Sequence, residues 1–206
     1  MSRVVKPQVV YLHGLQSSGQ SVTVQRLRRT LPHHEVIAPD LPVQPEVAMA
    51  ELRKLAATLD PDAIVIGTSM GGFFAQMFHG FRRILINPSF HVSRKLKEFV
   101  GRRLEFHNPR TDGLKDFEVT DKLVKKYERL EKEQFDPRKG IQGKRKESPE
   151  LVEGFLGKND TVVDGRGEFL EHYTRLTEFD GGHRLDPNTT ITLLVPRILE
   201  LSGQKN

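Results

Sequence analysis

One serine in this sequence has the surroundings of a nucleophile. Ser69 lies in the segment GTSMGG (residues 67–72), after the apolar run IVI and before a run rich in phenylalanine. A serine hydroxyl attacks a carbonyl carbon only when a base removes its proton and hydrogen-bond donors stabilise the resulting oxyanion. A sharp turn between a strand and a helix exposes the hydroxyl at the carboxyl edge of a sheet. The pattern therefore predicts that Ser69 is a nucleophile. Because no Lys-Ser or Lys-Thr pair ends the motif, a phosphate-binding P-loop is excluded.

The residues around Ser69 are small enough to allow such a turn. Gly67 and Gly71 have no Cβ atom, so the strand and the helix can approach each other closely, and Gly72 follows directly. The main-chain N–H of Met70, at the start of the predicted helix, would point to the carbonyl oxygen that becomes negative. We therefore expect Met70 to be one oxyanion donor and the three glycines to support the turn.

A second oxyanion donor is expected from the segment YLHGLQSS (residues 11–18), which follows the first strand-like run. His13 and Gly14 would turn the chain so that the N–H of Leu15 faces Ser69. The His13 side chain is expected to brace this loop rather than to take part in chemistry. Ser17 and Ser18 are interpreted as caps of the following helix, because serine oxygens accept hydrogen bonds from the first helical N–H groups.

The base and the acid that orients it are expected from later strand ends. Asp160 in FLGKNDTVVD follows an apolar run and a glycine, and His183 in DGGHR follows the last strand-like run. The chain order Ser, Asp, His is that of α/β-hydrolases. His183 would take the Ser69 proton and return it to the leaving group, while Asp160 fixes the imidazole tautomer.

Other acids and histidines are weaker candidates for these roles. Asp164 lies further from the strand end and is expected to cap the next helix. Asp180 lies only three residues before His183, too close along the chain to reach the far nitrogen of its ring easily. Asp40 in APDLP is expected to hold the turn after the second strand. The adjacent His33 and His34 have diverging side chains, so we expect no metal site.

The spacing of apolar residues predicts the elements that carry these loops. Short runs rich in valine and isoleucine, apolar on both faces, alternate with helical patterns, which favours a parallel sheet covered on both sides. The expected strands are Gln8–Leu12, Glu35–Ala38, Ala63–Gly67, Arg83–Asn87, Leu151–Leu156 and Arg175–Phe179. The predicted fold is a compact, single α/β domain (residues 1–206) with about six mostly parallel strands and helices on both faces.

Helices are predicted over Ser18–Leu31, Glu46–Leu59, Gly71–His79 and, within the last third, about Arg166–Tyr173. A final helix would begin at Asp186-Pro187. Pro196 must kink or restart that helix, because proline lacks the N–H that the helix needs.

Residues 91–149 separate two expected strands by far more than an ordinary connection. We call this segment the insertion. It contains the helical pattern Thr120–Gln134, with Leu123, Tyr127 and Leu130 on one stripe. From residue 94 to 150 there are 17 Lys and Arg against 12 Asp and Glu, whereas the rest of the chain has 15 of each. The insertion is interpreted as a basic lid over one end of the sheet; the alternative is a solvated, partly mobile segment without function.

Composition limits the remaining possibilities. The chain of 206 residues has 36% hydrophobic and 29% charged residues, which is ordinary for a globular protein, and it has no cysteine, which rules out disulfides and thiolate ligands. Its start, MSRVVKPQVVYLHG, lacks the apolar core of a signal peptide, and no apolar run approaches the length of a membrane span. A cytoplasmic location without membrane association is expected.

The loop motifs together resemble the YqiA-type esterases, a compact branch of the α/β-hydrolase fold. The matching segments are YLHGLQSS, APDLP, GTSMGG, INPSF, FLGKNDTVVD and DGGHR. The resemblance implies a triad of Ser69, Asp160 and His183, oxyanion donors at Leu15 and Met70, and short-chain acyl esters as substrates. Two departures stand against carrying over the substrate preference: the histidine follows the glycine pair directly, and the insertion is more basic and longer than is usual in the family.

The sequence therefore predicts a serine hydrolase that cleaves a carboxylic ester or thioester through an acyl-enzyme, without a metal or organic cofactor. The surplus positive charge of the insertion favours an anionic substrate. The alternative is a non-catalytic binding protein whose insertion holds nucleic acid or an acidic partner. Against nucleic acid, the basic segment QFDPRKGIQGKRK lacks interleaved aromatic residues. The sequence leaves open the oligomeric state and acyl transfer to an acceptor other than water.

Overall fold

The computed structural model describes residues 6–203. The sequence predicts no targeting segment in MSRVVKPQVVYLHG. Residues 1–5 of that stretch lie outside the described residues. Within the described range the strands are β1 (Gln8–Leu12), β2 (Glu35–Ile37), β3 (Ile64–Thr68), β4 (Phe78–His79), β5 (Arg82–Ile86), β6 (Arg103–Glu105), β7 (Asp116–Glu118), β8 (Ile141–Gln142), β9 (Val152–Gly157) and β10 (Arg175–Phe179).

The helices in the same range are α1 (Val22–Thr30), α2 (Pro45–Ala56), α3 (Met70–Gln76), α4 (Val92–Lys97), α5 (Asp121–Glu131), α6 (Arg166–His172), α7 (Pro187–Thr189) and α8 (Val195–Leu201). A 3-10 turn spans Pro149–Leu151, and a π-helical turn spans Thr190–Leu194.

Six strands form one sheet in the order β10-β9-β5-β3-β1-β2. Every neighbouring pair in this sheet is parallel. The predicted α/β fold with a six-stranded parallel sheet is confirmed. Since all six strands run the same way, the loops after β1, β3, β5, β9 and β10 emerge at one edge, which is where ligands bind in open parallel sheets.

Both faces of the sheet are covered by apolar side chains. On one face Val9, Ile64 and Ile84 pack with residues of α1 and α8. On the other face Val10, Val65 and Leu85 pack with α2, α3 and α6. Alternate residues of each strand point to opposite faces, so runs of valine and isoleucine fill both cores.

The helix bounds differ from the sequence-based ones at several ends. α1 begins at Val22, and the Ser21 side chain accepts the N–H of Val24, so the prediction that Ser17 or Ser18 caps this helix is wrong. The Ser18 hydroxyl accepts the N–H of Gln20 in the preceding turn instead. α3 ends at Gln76, and the last part of the predicted Gly71–His79 helix forms β4.

Pro196 restarts the last helix, as predicted. The π-helical turn precedes it, and α8 begins at Val195, so that the proline occupies an early helical position where no N–H is needed. Asp186 starts this region, and its side chain accepts the N–H groups of Asn188 and Thr189.

The insertion is folded, and its elements pack against the helices that cover one face of the sheet. It contains α4, the antiparallel hairpin of β6 and β7, α5, and β8, which pairs with β4. Its side chains Phe117, Val119, Leu123, Tyr127 and Ile141 belong to the core on the α2–α3 face and are at most 9% exposed. The insertion therefore contributes core as well as surface, and a purely solvated segment is excluded for these residues.

Over residues 6–203, no helix combines the length and the apolar character that crossing a membrane requires.

Candidate active site

Ser69 lies on a strained turn between β3 and α3. Its backbone has φ 56° and ψ −120°, in the left-handed half of conformational space that side chains other than glycine avoid. Its N–H donates to the carbonyl oxygen of Ile86 (3.0 Å), which fixes the turn to the end of β5. Strain of this kind persists only where the surroundings hold it, and it is concentrated at functional sites. The half-buried serine thus has the backbone geometry of a nucleophile elbow.

The glycines around the serine are required by close approach of the main chain. A Cβ atom on Gly67 would lie 2.1 Å from the carbonyl oxygen of Gly71, and one on Gly72 would lie 2.9 Å from Cα of Pro88. These distances leave no room for a side chain, because real Cβ atoms do not come this near to main-chain atoms. The strand, the helix and the loop after β5 therefore converge on the serine.

The loop after β1 lies directly beside the nucleophile. A Cβ atom on Gly14 would lie 3.3 Å from the Cβ atom of Ser69 and 3.9 Å from its Oγ. Within residues 6–203 the main-chain N–H groups of Leu15 and Met70 donate to no protein acceptor. Both groups are free for the predicted role as oxyanion donors, and both belong to segments in contact with the serine.

His13 holds this loop through both ring nitrogens. Its Nδ1–H donates to the carbonyl oxygen of Gly14 (2.8 Å), and its Nε2 accepts the N–H of Leu41 (2.9 Å). Burial lowers the pKa of His13 to about 4, and the charge of Arg110 acts in the same direction. The imidazole is therefore neutral, with its proton on Nδ1, and links the loop after β1 to the loop after β2.

The structure brings Asp160 and His183 into contact. Nδ1 of His183 is 2.8 Å from Oδ2 of Asp160, and the two side chains are only 17% and 6% exposed. The other carboxylate oxygen accepts the N–H groups of Val162 (2.7 Å) and Val163 (3.1 Å). The acid is thus held at both oxygens, and the imidazole is oriented with Nδ1 towards the carboxylate and Nε2 away from it.

The competing acids lie elsewhere. Asp180 is 89% exposed and has Lys158 at 3.9 Å as its ion-pair partner. The expectation that Asp164 caps α6 is wrong: the N-cap is Gly165, without a side-chain hydrogen bond. Asp40 accepts the N–H of Gly19 at 2.7 Å, 21 residues earlier in the chain, so it joins the loops after β1 and β2 rather than holding the turn of APDLP as expected.

The hairpin of the insertion is seated on the oxyanion loop. We call residues 103–118 the strap. The N–H of His107 donates to the carbonyl oxygen of Gln16 (2.8 Å), and the Gln16 side chain donates to the carbonyl oxygen of Glu105 (2.9 Å). Asn108 donates to the Ser17 hydroxyl (3.3 Å). The strap therefore covers the loop that would supply the Leu15 donor.

The strap is also anchored to the loop after β2. The second carboxylate oxygen of Asp40 accepts the N–H and the hydroxyl of Thr111, both at 2.6 Å. Burial alone would raise the pKa of Asp40, but these bonds, with those from Gly19 and the charge of Arg110, lower it. The buried Arg110 guanidinium donates to the carbonyl oxygen of Leu41 (3.3 Å). Sequence reasoning missed Arg110 and Thr111, since a single arginine in a charged segment carries no pattern.

Most of the ordered positive charge of the insertion is paired with carboxylates. The pairs are Lys95–Glu98, Lys97–Glu128, Arg103–Asp116, Arg110–Asp112, Lys126–Glu46, Arg129–Glu46, Arg138–Asp136, Lys139–Glu133 and Arg145–Asp62. Lys122, Lys125 and Lys132 on the exposed side of α5 have no carboxylate within 4.0 Å in the described part of the chain. Five other exposed cations of the insertion also have no carboxylate within 4.0 Å among residues 6–203: Arg94, Arg102, Lys115, Lys144 and Lys146. The unpaired positive charge is therefore spread over the insertion, and three of these cations share the exposed side of α5.

No set of three or more His, Asp or Glu side chains in residues 6–203 is arranged to hold a metal ion.

A family model described as "Uncharacterised protein family (UPF0227)" matches residues 8–191. The match includes Ser69, Asp160 and His183 and stops within the π-helical turn. The family-level resemblance stated from the loop motifs is thereby confirmed. No curated protein matches the chain.

Solved structures of hydrolases share the fold. Est1E from Butyrivibrio proteoclasticus matches with a TM-score of 0.62 and 15% identity, over 97% of this chain and 90% of Est1E. A monoacylglycerol lipase from Paleococcus ferrophilus matches with a TM-score of 0.62 and 16% identity, over 98% and 97% of the two chains. The type II thioesterase BorB from the borrelidin biosynthetic cluster matches with a TM-score of 0.54 and 15% identity, over 98% and 93%. At such identities the likeness shows the fold, which is that of α/β-hydrolases, and not the activity.

Proposed function

We propose that this chain, which belongs to the uncharacterised protein family UPF0227, is a serine hydrolase that cleaves a carboxylic ester or thioester through an acyl-enzyme. The observation that carries the proposal is the 2.8 Å contact of His183 with Asp160, on two loops that emerge at the same sheet edge as the strained Ser69 turn. An acid–imidazole pair at that edge is the arrangement that a serine nucleophile needs.

In the proposed reaction, Ser69 Oγ attacks the acyl carbon as Nε2 of His183 takes the hydroxyl proton. The carbonyl electron pair moves to oxygen, and the N–H groups of Leu15 and Met70 stabilise the oxyanion. When this intermediate collapses, the bond to the alcohol or thiol breaks, and His183 returns the proton to the leaving group. The products of this half-reaction are the free alcohol or thiol and an acyl ester on Ser69.

A water molecule completes the cycle. His183 takes a proton from the water as its oxygen attacks the acyl-enzyme, and returns it to Ser69 Oγ when the acid leaves. Asp160 keeps the imidazole proton on Nδ1 and stabilises the imidazolium that forms in each half-reaction. Every step uses only these side chains, the two main-chain N–H groups and water, so the proposed mechanism calls for neither a metal nor an organic cofactor.

The substrate is proposed as a small acyl ester or thioester, consistent at the level of the fold with a lipase and a thioesterase among the similar structures. The insertion is proposed as the lid of the site, since its strap lies on the oxyanion loop. A nucleic-acid function is not favoured, because nine of the insertion's 17 Lys and Arg side chains pair with carboxylates in the described residues.

Labelling with a fluorophosphonate probe tests the nucleophile. The wild-type protein should be labelled with one probe per chain, and Ser69→Ala should lose labelling and esterase activity while keeping its unfolding midpoint. Ser202→Ala is a matched control, because Ser202 bonds to His34 and to the carbonyl oxygen of Ile198, at the opposite end of the last helix. Labelling that persists in Ser69→Ala but not in another serine variant would refute the assignment.

A further inference from the structure

We propose that Asn87 is a positioning residue that sets the base and the acid against the nucleophile; the inference rests on the proposed hydrolase function. Asn87 follows β5 in the segment INPSF, is 1% exposed, and no part of the mechanism above uses it. It lies between the turn of Ser69 and the two loops that carry Asp160 and His183. Its side chain is bonded to both of those loops.

The contacts of Asn87 use every polar atom of its side chain. Nδ2 donates to the carbonyl oxygens of Gly182 (3.0 Å) and His183 (2.9 Å). Oδ1 accepts the N–H of Gly157 (2.8 Å), at the start of the loop that leads to Asp160. A carboxamide is the side-chain group that presents two donors and an acceptor in one plane, so asparagine suits this position.

The backbone of Asn87 joins the same group to the nucleophile. The preceding residue, Ile86, accepts the N–H of Ser69, and the N–H of Asn87 itself donates to the carbonyl oxygen of Phe155 (3.0 Å). Asn87 has φ 42°, a left-handed conformation that asparagine tolerates better than most residues. One residue thus ties the serine turn, the acid loop and the base loop to the end of one strand.

Main-chain hydrogen bonds join the loop of Asp160 to the loop of His183, but these bonds do not connect the two loops to the Ser69 turn. The N–H of Asn159 donates to the carbonyl oxygen of Gly181 (2.9 Å), and the N–H of Lys158 donates to that of Phe179 (3.0 Å). These bonds hold Asp160 and His183 as a unit. The Asn87 side chain then fixes that unit relative to the strand beside Ser69. Loss of its bonds would leave the 2.8 Å acid–base pair intact while the imidazole shifts relative to the hydroxyl.

Two substitutions separate positioning from folding. Asn87→Asp keeps the shape and the tolerance of a positive φ, but its carboxylate cannot donate to the two carbonyl oxygens. Asn87→Gly keeps the backbone conformation and removes the side-chain bonds without adding a charge. Asn188→Asp is the matched control, because Asn188 is exposed on α7 and its side chain makes no hydrogen bond within residues 6–203.

Steady-state hydrolysis of a p-nitrophenyl ester and the rate of fluorophosphonate labelling are measured for each variant, with urea unfolding to verify the fold. Misplacement of a reacting group by about 1 Å costs on the order of 100-fold in rate. We therefore expect both Asn87 variants to lose roughly 10- to 100-fold in kcat and labelling rate, with KM changed less than about twofold. The control should match the wild type.

Folded Asn87 variants with the wild-type kcat and labelling rate would overturn the inference and leave the nucleophile assignment standing. Unfolding of both variants would assign Asn87 a purely structural role and overturn it as well. If Ser69→Ala is still labelled, the proposed function fails instead, so the two failures are distinguishable.

Discussion

Gly71 packs against the main chain of Leu12 so closely that a methyl group on residue 71 would lie 2.0 Å from the Leu12 carbonyl oxygen. The same methyl group would lie 2.7 Å from the carbonyl oxygen of His13. Since Leu12 ends β1 and His13 begins the oxyanion loop, this contact sets how near the loop comes to the serine turn. The nucleophile and its oxyanion donors are therefore placed by a contact between main chains.

Gly71→Ala should destabilise the protein strongly. The clash is with main-chain atoms of a central strand, which cannot rotate away, so we expect a loss of at least about 3 kcal/mol in the free energy of unfolding. Gly167→Ala is the control: no atom lies within 4 Å of the added methyl group, and the residue lies in α6. The control should be neutral or up to about 1 kcal/mol more stable. The measurement is urea unfolding of both variants. Equal midpoints for Gly71→Ala and Gly167→Ala would contradict the close contact of Gly71 with the main chain of Leu12.

Asp160→Asn should lower kcat by about 10³- to 10⁴-fold while the fold is kept. An amide that donates to Nδ1 of His183 would move the imidazole proton to Nε2, and a protonated Nε2 cannot accept the Ser69 proton. The matched control is Asp164→Asn, four residues further along on the exposed surface. Hydrolysis of a p-nitrophenyl ester should be nearly unchanged in the control. Comparable activity in the two variants would remove Asp160 from the triad.

Acid should destabilise the wild-type protein partly through His13. The folded protein holds the pKa of His13 at about 4, whereas the unfolded chain titrates near 6.5, so the unfolded state binds a proton that the folded state excludes. The contribution is present above pH 6.5 and is lost as the pH falls towards 4, by on the order of 3 kcal/mol.

His13→Asn tests this dependence, because its amide can still donate to the Gly14 carbonyl oxygen but does not titrate. The variant is expected to be less stable at pH 7, since the bond to Leu41 is lost. Its free energy of unfolding should then fall less steeply than that of the wild type between pH 6.5 and 4. Parallel curves in urea unfolding across this range would show that His13 is not the group responsible.

The unpaired lysines of α5 give the predicted preference for anionic substrates a specific test. At low salt, kcat/KM for an anionic ester should exceed that for a matched neutral ester, and the difference should shrink as salt screens the charges. Lys125→Glu should reduce the low-salt preference by more than about twofold. The reference variant is Lys6→Glu, because Lys6 bonds to the carbonyl oxygen of Pro32 just after α1, and α1 and α5 belong to the cores on opposite faces of the sheet. Equal salt dependence for both esters would count against an electrostatic role of the insertion.

The sheet and the loop motifs could be predicted from the sequence because strongly periodic apolar runs determine them. All six expected strands are present, with ends shifted by at most one residue. The strands within the insertion could not be predicted, because β6, β7 and β8 have only two or three residues each and are too short to show an alternation of apolar and polar residues. Its burial depends on tertiary contacts, such as those of the Tyr127 hydroxyl with Val43 before α2 and with Met70 of α3, which a local pattern does not contain.

In the candidate site, the sequence identifies the residues whose side chains could do chemistry, but it does not identify the residues that only position those side chains. Ser69, Asp160 and His183 stand out through type, position and glycine context. Asn87 in INPSF stands directly after a buried strand, which is a sequence signal for a side chain at the carboxyl edge of the sheet, but no local pattern shows which loops it joins. The position of Asp40 in APDLP predicts a role in its own turn, whereas its bonds to Thr111 join segments 71 residues apart.

The order of the strands also bears on when a newly made chain can first act. The serine turn and the oxyanion loop come from the first half of the sequence, whereas β9 and β10, which deliver the acid and the base, join one side of the sheet last. Domains begin to assemble while the ribosome is still adding residues. A nascent chain would then carry an unreactive Ser69 hydroxyl until the segment with β9, β10 and the His183 loop has been synthesised and has joined the sheet.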